Sequence, residues 1–331
     1  MLRNTGVNVG LDMGGTSIKA LVVDRSNRVL ATGKISTLTR NPGEAIKDLA
    51  TLVKRSVADA GLTLTEIAAV GIGIPGAVDP VRGIVHKAPN LGWNNIPLGR
   101  ELKRLLRVPI IVDNDVNVGT VGEHALGAGE RLHEIVGIFV GTGIGGGIIL
   151  GGELYYGYRG SAGEIGHMVL EVNGPRCGCG RRGCLEALAS RTAMERDVRA
   201  AVKAGQKSIV LQIMKERNRS RMTSGIIGRA LKKRDPVMRE VMKRAQYYLG
   251  LAVANVVNIL DPERVVIGGG IAERLGEDFV APMRPTAYQH FLNPDKAQRI
   301  KILPGWLGDN AGAMGAVVLA RQRLEAVTSD K

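Results

Sequence analysis

Two stretches of the chain repeat one pattern: VNVGLDMGGTSIKALVV (residues 7–23) and VGIFVGTGIGGGIILGG (residues 136–152). Each is an apolar run, a glycine loop bearing a threonine, and a second apolar run. The runs have strand length and the loops leave no room for a helix, so each stretch predicts a β-hairpin. Glycine hairpins resemble one another by default. The recurrence nevertheless points to a duplicated fold, two related lobes facing a cleft. The remaining pattern is α/β. A strand reads over Val29–Ser36, a helix over Pro42–Ala60 with Pro at its tolerated first turn, and a buried strand over Ile67–Ile74. Pro97–Leu106 reads as helix and Pro109–Val112 as strand. Further on, helical patterns cover Leu185–Ala204, Ser208–Lys215, Thr223–Lys232 and Pro236–Leu260. A strand over Arg264–Ile267 then runs into Gly268-Gly269-Gly270, and a last helix spans about residues 310–325. That helix carries Ala311, Gly312, Ala313, Gly315 and Ala316, small enough for close packing on a sheet.

A length of 331 residues suits two domains of ordinary size. With 3 Phe, 2 Trp and 6 Tyr, a base-stacking surface for single-stranded nucleic acid is not expected. The N-terminus lacks the apolar segment of a secretory signal, and the longest apolar stretches, Ile135–Leu150 and Tyr247–Leu260, are broken by Gly or Asn. No membrane span is therefore expected. The three cysteines all fall between Cys177 and Cys184, which excludes a disulfide framework and implies a reducing, cytoplasmic setting. The net charge of +14 reads mostly as solvated surface, because many of the cations (Arg217, Arg219, Lys232, Lys233) lie away from any motif.

Three glycine loops invite a phosphate, because backbone N–H groups approach an anion closely where no Cβ intervenes. In the first, Asp12-Met13-Gly14-Gly15-Thr16-Ser17-Ile18-Lys19, Asp12 at a strand end can hold Mg²⁺ through water, or can simply cap the turn. Lys19 can neutralise phosphate or merely extend to solvent. The second loop, GTGIGGG, contains Gly141, Gly143 and Gly146 at the dinucleotide spacing, but β-branched Ile148 and Ile149 follow instead of a helix. The third, Gly268–Gly270, closes a strand and opens a helix, a place for an anion or an adenosine ribose.

Asp113-Asn114-Asp115 sits at the carboxyl end of a strand, where open α/β sheets bind ligands. A carboxylate there can take the proton of a hydroxyl attacking a phosphoryl group, or the same residues can cap a helix. Cys177, Cys179 and Cys184 lie among glycines, and His167 is the obvious fourth ligand for a structural Zn²⁺ with all four positions filled by protein.

Together these residues resemble the ROK family (repressors, uncharacterised frames and sugar kinases), and within it the bacterial glucokinase type. The resemblance runs from about Val7 to Val318 through DMGGTSIKA, GIGIPGAVD, APNLGW, DNDVN, GTGIGGGII, GSAGEIGH, CGCGRRGCLE and GGGIA. It implies an actin-like ATPase (ribonuclease H-like) two-lobed α/β fold, a homodimer, and use of ATP with Mg²⁺. By that likeness Asp115 is the catalytic base, and Asn114, Glu164, His167 and Glu186, joined by Asn90, hydrogen-bond the hexose. Asp12, Gly14, Gly15 and Thr16 match the first phosphate loop, with Lys19 beside it. Gly141, Thr142 and Gly143 match the second, and Gly269 with Gly270 the adenosine contact. The implied division is a small lobe of residues 1–115 plus about 305–331, and a large lobe of residues 116–304.

The expected activity is ATP-dependent phosphorylation of glucose to glucose 6-phosphate, with lobe closure excluding water. Kinases of N-acetylglucosamine, N-acetylmannosamine, mannose, fructose or allose share these motifs, and a polyphosphate donor is a further alternative. The family's sugar-responsive repressors carry a helix-turn-helix ahead of the first strand. Only about six residues precede Val7, so neither that domain nor a nucleic-acid partner is expected.

Overall fold

The computed structural model describes residues 6–14, 17–36 and 41–329. It divides into two compact units: Met1–Arg131 with Leu154–Ala162 and Asn310–Lys331, and Leu132–Glu153 with Gly163–Asp309.

The first unit is built on strands β1 (Val7–Met13), β2 (Ser17–Val23), β3 (Val29–Ser36), β4 (Ile67–Ile74), β5 (Ala77–Asp79), β6 (Ile84–Ala88), β7 (Trp93–Ile96) and β8 (Ile110–Asn114). Five of them form a sheet in the order β3-β2-β1-β4-β8; β5, β6 and β7 make a small antiparallel sheet. The β1–β2 pair is the antiparallel hairpin expected from residues 7–23, while β4 runs parallel to both β1 and β8. Helix α1 (Pro42–Asp59) starts where Asn41 accepts hydrogen bonds from the Gly43 and Glu44 N–H groups, with Pro42 at its first position. It buries Leu49, Leu52 and Val53 against the sheet core of Val9, Leu11 and Ile72. Helix α2 (Leu98–Leu106) ends at Arg107, whose φ of 57° is left-handed. Helix α3 (Asp115–Leu126) begins immediately after β8. Sequence periodicity does not reveal it, because Gly119 and Gly122 interrupt the apolar pattern.

Helix Ala311–Ser329, the return helix, closes this unit. Its small residues allow backbone-to-backbone contact. A Cβ on Gly71 of β4 would lie 1.9 Å from the Ala316 carbonyl oxygen, and one on Gly315 would lie 1.6 Å from that of Val118 in α3. These contacts explain why the unit boundary differs from the expected one. A division at 115/116 would cut α3 from the return helix it packs on, so the first unit instead keeps everything to Arg131, gains Leu154–Ala162, and resumes at Asn310 instead of about residue 305.

The second unit repeats the sheet. Strands β9 (Ile135–Val140), β10 (Ile144–Leu150), β11 (Glu153–Leu154), β12 (Arg264–Gly268) and β13 (Lys301–Pro304) lie in the order β11-β10-β9-β12-β13. The β9–β10 pair is antiparallel, and β12 is parallel to β9 and β13. Numbering each sheet by its own strands yields the same order twice, with the same directions for the first hairpin and the two parallel pairings, so the duplicated pattern in the sequence corresponds to a duplicated sheet. The GTGIGGG loop joins a hairpin and not a strand to a helix, which disposes of the dinucleotide reading. Helices α4 (Leu185–Ala189), α5 (Arg191–Lys203), α6 (Val210–Glu216), α7 (Ser224–Lys232), α8 (Pro236–Leu260) and α9 (Gly270–Leu275) follow. The single helix expected over Leu185–Ala204 is broken at Ser190, which turns extended so that its hydroxyl accepts from the Ala193 N–H and caps α5. Helix α8 is the buried centre of this unit, capped by Asp235 and ended by left-handed Asp261. Among the described residues, no helix is long and apolar enough to cross a membrane.

Candidate active site

In the first unit, the capping reading of Asp113-Asn114-Asp115 falls on the middle residue. Asn114 is the helix cap: its Oδ1 accepts from the Val116 and Asn117 N–H groups at 2.9 and 3.2 Å, and its Nδ2 donates to the Gly76 carbonyl at 3.0 Å. That leaves it little capacity for the expected sugar contact. Asp115 is then the first helical residue, a partly buried carboxylate at a positive helix end. Burial pushes its pKa up to about 6, against the opposing hydrogen bonds from the Val116 N–H and the Asn114 amide. A carboxylate so placed is ionised at neutral pH and close enough in affinity to accept a proton and release it.

Asp113 is the buried partner, 1% exposed. Its Oδ1 accepts from the Asn114 N–H and from Asn117 Nδ2 at 2.7 and 2.9 Å, and its Oδ2 accepts from the Tyr156 hydroxyl. Arg323 of the return helix donates to the same hydroxyl at 3.2 Å and stacks over the Tyr156 ring at 5.5 Å. Burial raises the Asp113 pKa, opposed by these donors. Neither Tyr156 nor Arg323 carries a sequence signal, because each acts through a long-range contact.

Asp12 is the last residue but one of β1, opposite Lys19 of β2 in the hairpin register. A Cβ on Gly312 would lie 2.5 Å from the Asp12 carboxyl carbon, so the first turn of the return helix reaches the carboxylate only because residue 312 is glycine. A carboxylate near a strand end fits Mg²⁺, which takes one or two carboxylates and keeps waters and phosphate oxygens for the rest. Gly14 closes the turn by donating to the Ser17 carbonyl at 3.0 Å, while Gly15 and Thr16 lie outside the described residues. Asn90 sits exposed in the turn between β6 and β7.

In the second unit, His167, Cys177, Cys179 and Cys184 converge, with ligand atoms all within 4.8 Å of one another. Cys177 Sγ is 3.8 Å from His167 Nδ1, and Cys179 Sγ is 3.7 Å from Cys184 Sγ. A tetrahedral ion with Zn–S bonds of about 2.3 Å requires ligand separations near 3.8 Å, so the four residues fit Zn²⁺. Burial pushes the Cys177 thiol up to about 12, and a bound cation is what would make it a thiolate. With Nδ1 turned to the cysteines, His167 Nε2 faces Glu164 Oε2 at 3.8 Å. Glu186 Oε2 accepts from the Ile144 N–H at 3.0 Å, and its Oε1 accepts from the Cys177 thiol at 3.6 Å. The cysteine loop, Glu186 and the start of β10 are thus one connected cluster.

The Gly141-Thr142-Gly143 loop is braced from α5, where the Arg191 N–H donates to the Gly141 carbonyl and Thr192 Oγ1 to the Thr142 carbonyl. The Thr142 and Gly143 N–H groups have no acceptor among the described residues. Two free N–H groups on a glycine loop form a cradle that fits phosphate oxygens. Gly269, with φ of 85°, turns the chain from β12 into α9 against the Val140 backbone, and Gly270 lies beside the Ser224 hydroxyl.

The sequence pattern of the ROK family matches residues 8–323. A glucokinase of Thermotoga maritima is 34% identical over 320 residues, covering 96% of this chain and 98% of its own. A glucokinase of Halalkalibacterium halodurans is 32% identical over 318 residues, covering 95% of each. Among solved structures, a ROK family glucokinase from Streptomyces griseus in complex with glucose and AMPPNP superposes with a TM-score of 0.85 at 32% identity, over 96% of this chain and all of that one.

Proposed function

Because the chain belongs to the ROK family, we propose that it is an ATP-dependent glucokinase in which Asp115 is the general base. The observation that carries this reading is the Asp115 carboxylate itself, set at the first turn of α3 by the Asn114 cap and tuned to about 6. In the reaction, the sugar 6-hydroxyl oxygen forms a bond to the γ-phosphorus while the bond from that phosphorus to the bridging oxygen breaks. The electron pair leaves with ADP, and Asp115 takes the hydroxyl proton. A base so poised contributes about 10²–10⁴ in rate.

The other residues divide by unit. In the first, Asp12 and Gly14 serve the phosphates and Mg²⁺, with Gly15, Thr16 and Lys19 completing that loop; Asn90 and Asn114 are offered to the sugar. In the second, Glu164, His167 Nε2 and Glu186 orient sugar hydroxyls, and Gly141, Thr142 and Gly143 hold donor phosphate. Gly269 and Gly270 meet the adenosine. Mg²⁺, when bound, neutralises charge on the transferred phosphate, and Zn²⁺ fixes the His167 ring so that one nitrogen faces substrate. The glucokinase relatives and the glucose- and AMPPNP-bound structure support this choice of sugar and donor.

The test is a matrix of initial rates, with glucose, N-acetylglucosamine, N-acetylmannosamine, mannose, fructose and allose each tried with ATP and with polyphosphate. Glucose with ATP is expected to have the highest kcat/KM. A higher value for another sugar overturns the substrate, and a higher value for polyphosphate overturns the donor.

A further inference from the structure

Helix α5 places an unassigned guanidinium on the second glycine loop. Arg191 is the first residue of α5, directly after the Ser190 cap. Its Nη2 donates to the Thr142 hydroxyl at 2.5 Å, and its backbone N–H holds the Gly141 carbonyl at 3.0 Å. That is one of five guanidinium N–H donors. Arg191 is partly buried, and no carboxylate pairs with it among the described residues.

The nearby charges do not balance. Glu195 is the local acid, buried to 7% exposure, and it is already saturated. Arg199 donates to its Oε1, while Arg221 Nε and the Met222 N–H donate to its Oε2. Arg221 also reaches the Thr192 hydroxyl at 3.4 Å, on the same turn as Arg191. Two arginines therefore already occupy the one carboxylate near Arg191, which makes no ion pair with it. Loss of solvent and, after it, the like charge of Arg221 work against protonated Arg191, with Glu195 opposing them through space. Arginine stays charged in such a place, so a cation that Glu195 offsets only from a distance, without an ion pair, stands beside a loop whose Thr142 and Gly143 N–H groups have no acceptor among the described residues. An anion with several oxygens would satisfy all of these donors together.

We propose that Arg191 binds the phosphoanhydride chain of the phosphoryl donor, forming with the Thr142 and Gly143 N–H groups the subsite for its terminal phosphates. This deepens the kinase reading above and rests on it. The same chemistry is present in a nucleoside triphosphate and in inorganic polyphosphate, so MgATP and inorganic tripolyphosphate are the two probes. The alternative is that Arg191 only braces the loop.

The experiment uses Arg191→Met, Arg191→Lys and Arg191→Gly in the full chain, with thermal unfolding and zinc content as controls for folding. One charged hydrogen-bonding fork lost to phosphate predicts a rise of about tenfold or more in KM for MgATP with Arg191→Met, with the glucose KM within about twofold. Arg191→Lys, which keeps the charge but not the fork, should fall between. Tripolyphosphate, titrated calorimetrically without any sugar, should bind Arg191→Met about tenfold more weakly than wild type. Guanidinium ion at a non-denaturing concentration should restore part of the donor affinity to Arg191→Gly, and urea should not. Unchanged donor KM and unchanged tripolyphosphate affinity overturn the inference. So does a matched rise in the sugar and donor KM values with a lowered melting temperature, which is the signature of a brace alone. A wild-type protein that phosphorylates no sugar yet binds tripolyphosphate through Arg191 would sink the kinase reading and leave this subsite standing.

Discussion

Replacing the base should strengthen the protein that it disables. Burial lifts Asp115 from an ordinary 3.8 to about 6. At about 1.36 kcal/mol per tenfold change in proton affinity, holding it ionised in the folded chain costs up to about 3 kcal/mol. The carboxylate is only partly buried by area, which trims the figure to about 1–3 kcal/mol. The sign follows from linkage. The folded value lies above the unfolded one, so the group is at its most favourable below about pH 4, where it is protonated in both states. It loses stability as pH rises from 3.8 through about 6, and the penalty is level above that. Asp115→Asn has nothing to ionise. The variant should therefore exceed wild type by about 1–3 kcal/mol at pH 8 and by about half as much at pH 5, while kcat falls by about 10²–10⁴. Paired urea and thermal unfolding of the two proteins at both pH values, with kcat at saturating sugar and MgATP, measures all of this. A variant less stable than wild type at pH 8, or a gain that does not shrink toward pH 5, refutes the burial argument. Near-normal turnover refutes the base.

The wild-type kcat/KM should fall on the acid side with an apparent pKa near 6, the value to which burial lifts Asp115; a flat profile down to pH 5 contradicts it. Tyr156→Phe strips a donor from buried Asp113 and should cost about 1–3 kcal/mol of stability in denaturant melts, whereas an unchanged midpoint would show that Arg323 or water takes its place. Gly315→Ala would gain about 1 kcal/mol on helix propensity alone, but its Cβ would meet the Val118 carbonyl oxygen at 1.6 Å, so a net loss of about 1–3 kcal/mol or more is expected; a rise in melting temperature would falsify that contact. Metal analysis should find one zinc per chain, and stripping it with a chelator should raise the sugar KM more than the ATP KM, since His167 loses its anchor. Equal effects on both would detach the cluster from the sugar.

Much of this was legible because chemistry and periodicity coincide. The two hairpins declare themselves by apolar runs flanking glycines, and β4 and α8 match their expected bounds of Ile67–Ile74 and Pro236–Leu260. The cysteine–histidine cluster is local in sequence except for His167, and its residue types alone mark it as a candidate metal site. What stayed hidden depends on distant contacts. Asn114 and Asp115 look alike as candidates until the start of α3 makes one the cap and the other the first helical residue. Asp113 gains its meaning from Tyr156 and Arg323, 43 residues and much further along the chain. Arg191 sits in a stretch that reads as continuous helix, and its position on the Gly141-Thr142-Gly143 loop appears only once Ser190 breaks that helix. The three short strands β5, β6 and β7 lack an apolar alternation strong enough to declare them.

The return helix also sets an order of events during synthesis. Residues 132–153 and 163–309 leave the ribosome before residues 311–329 do, so the second unit can complete its core first. The first unit cannot. Gly10 and Gly71 are bare grooves in its sheet until Ala313 and Ala316 arrive to fill them, and the helix end that meets Asp12 does not yet exist. A nascent chain halted near residue 309 would thus carry one finished unit and one unfinished sheet, with its apolar face open to chaperones and to proteases. The surroundings of the Asp12 carboxylate are completed only when Gly312 is made, hundreds of residues after Asp12 itself.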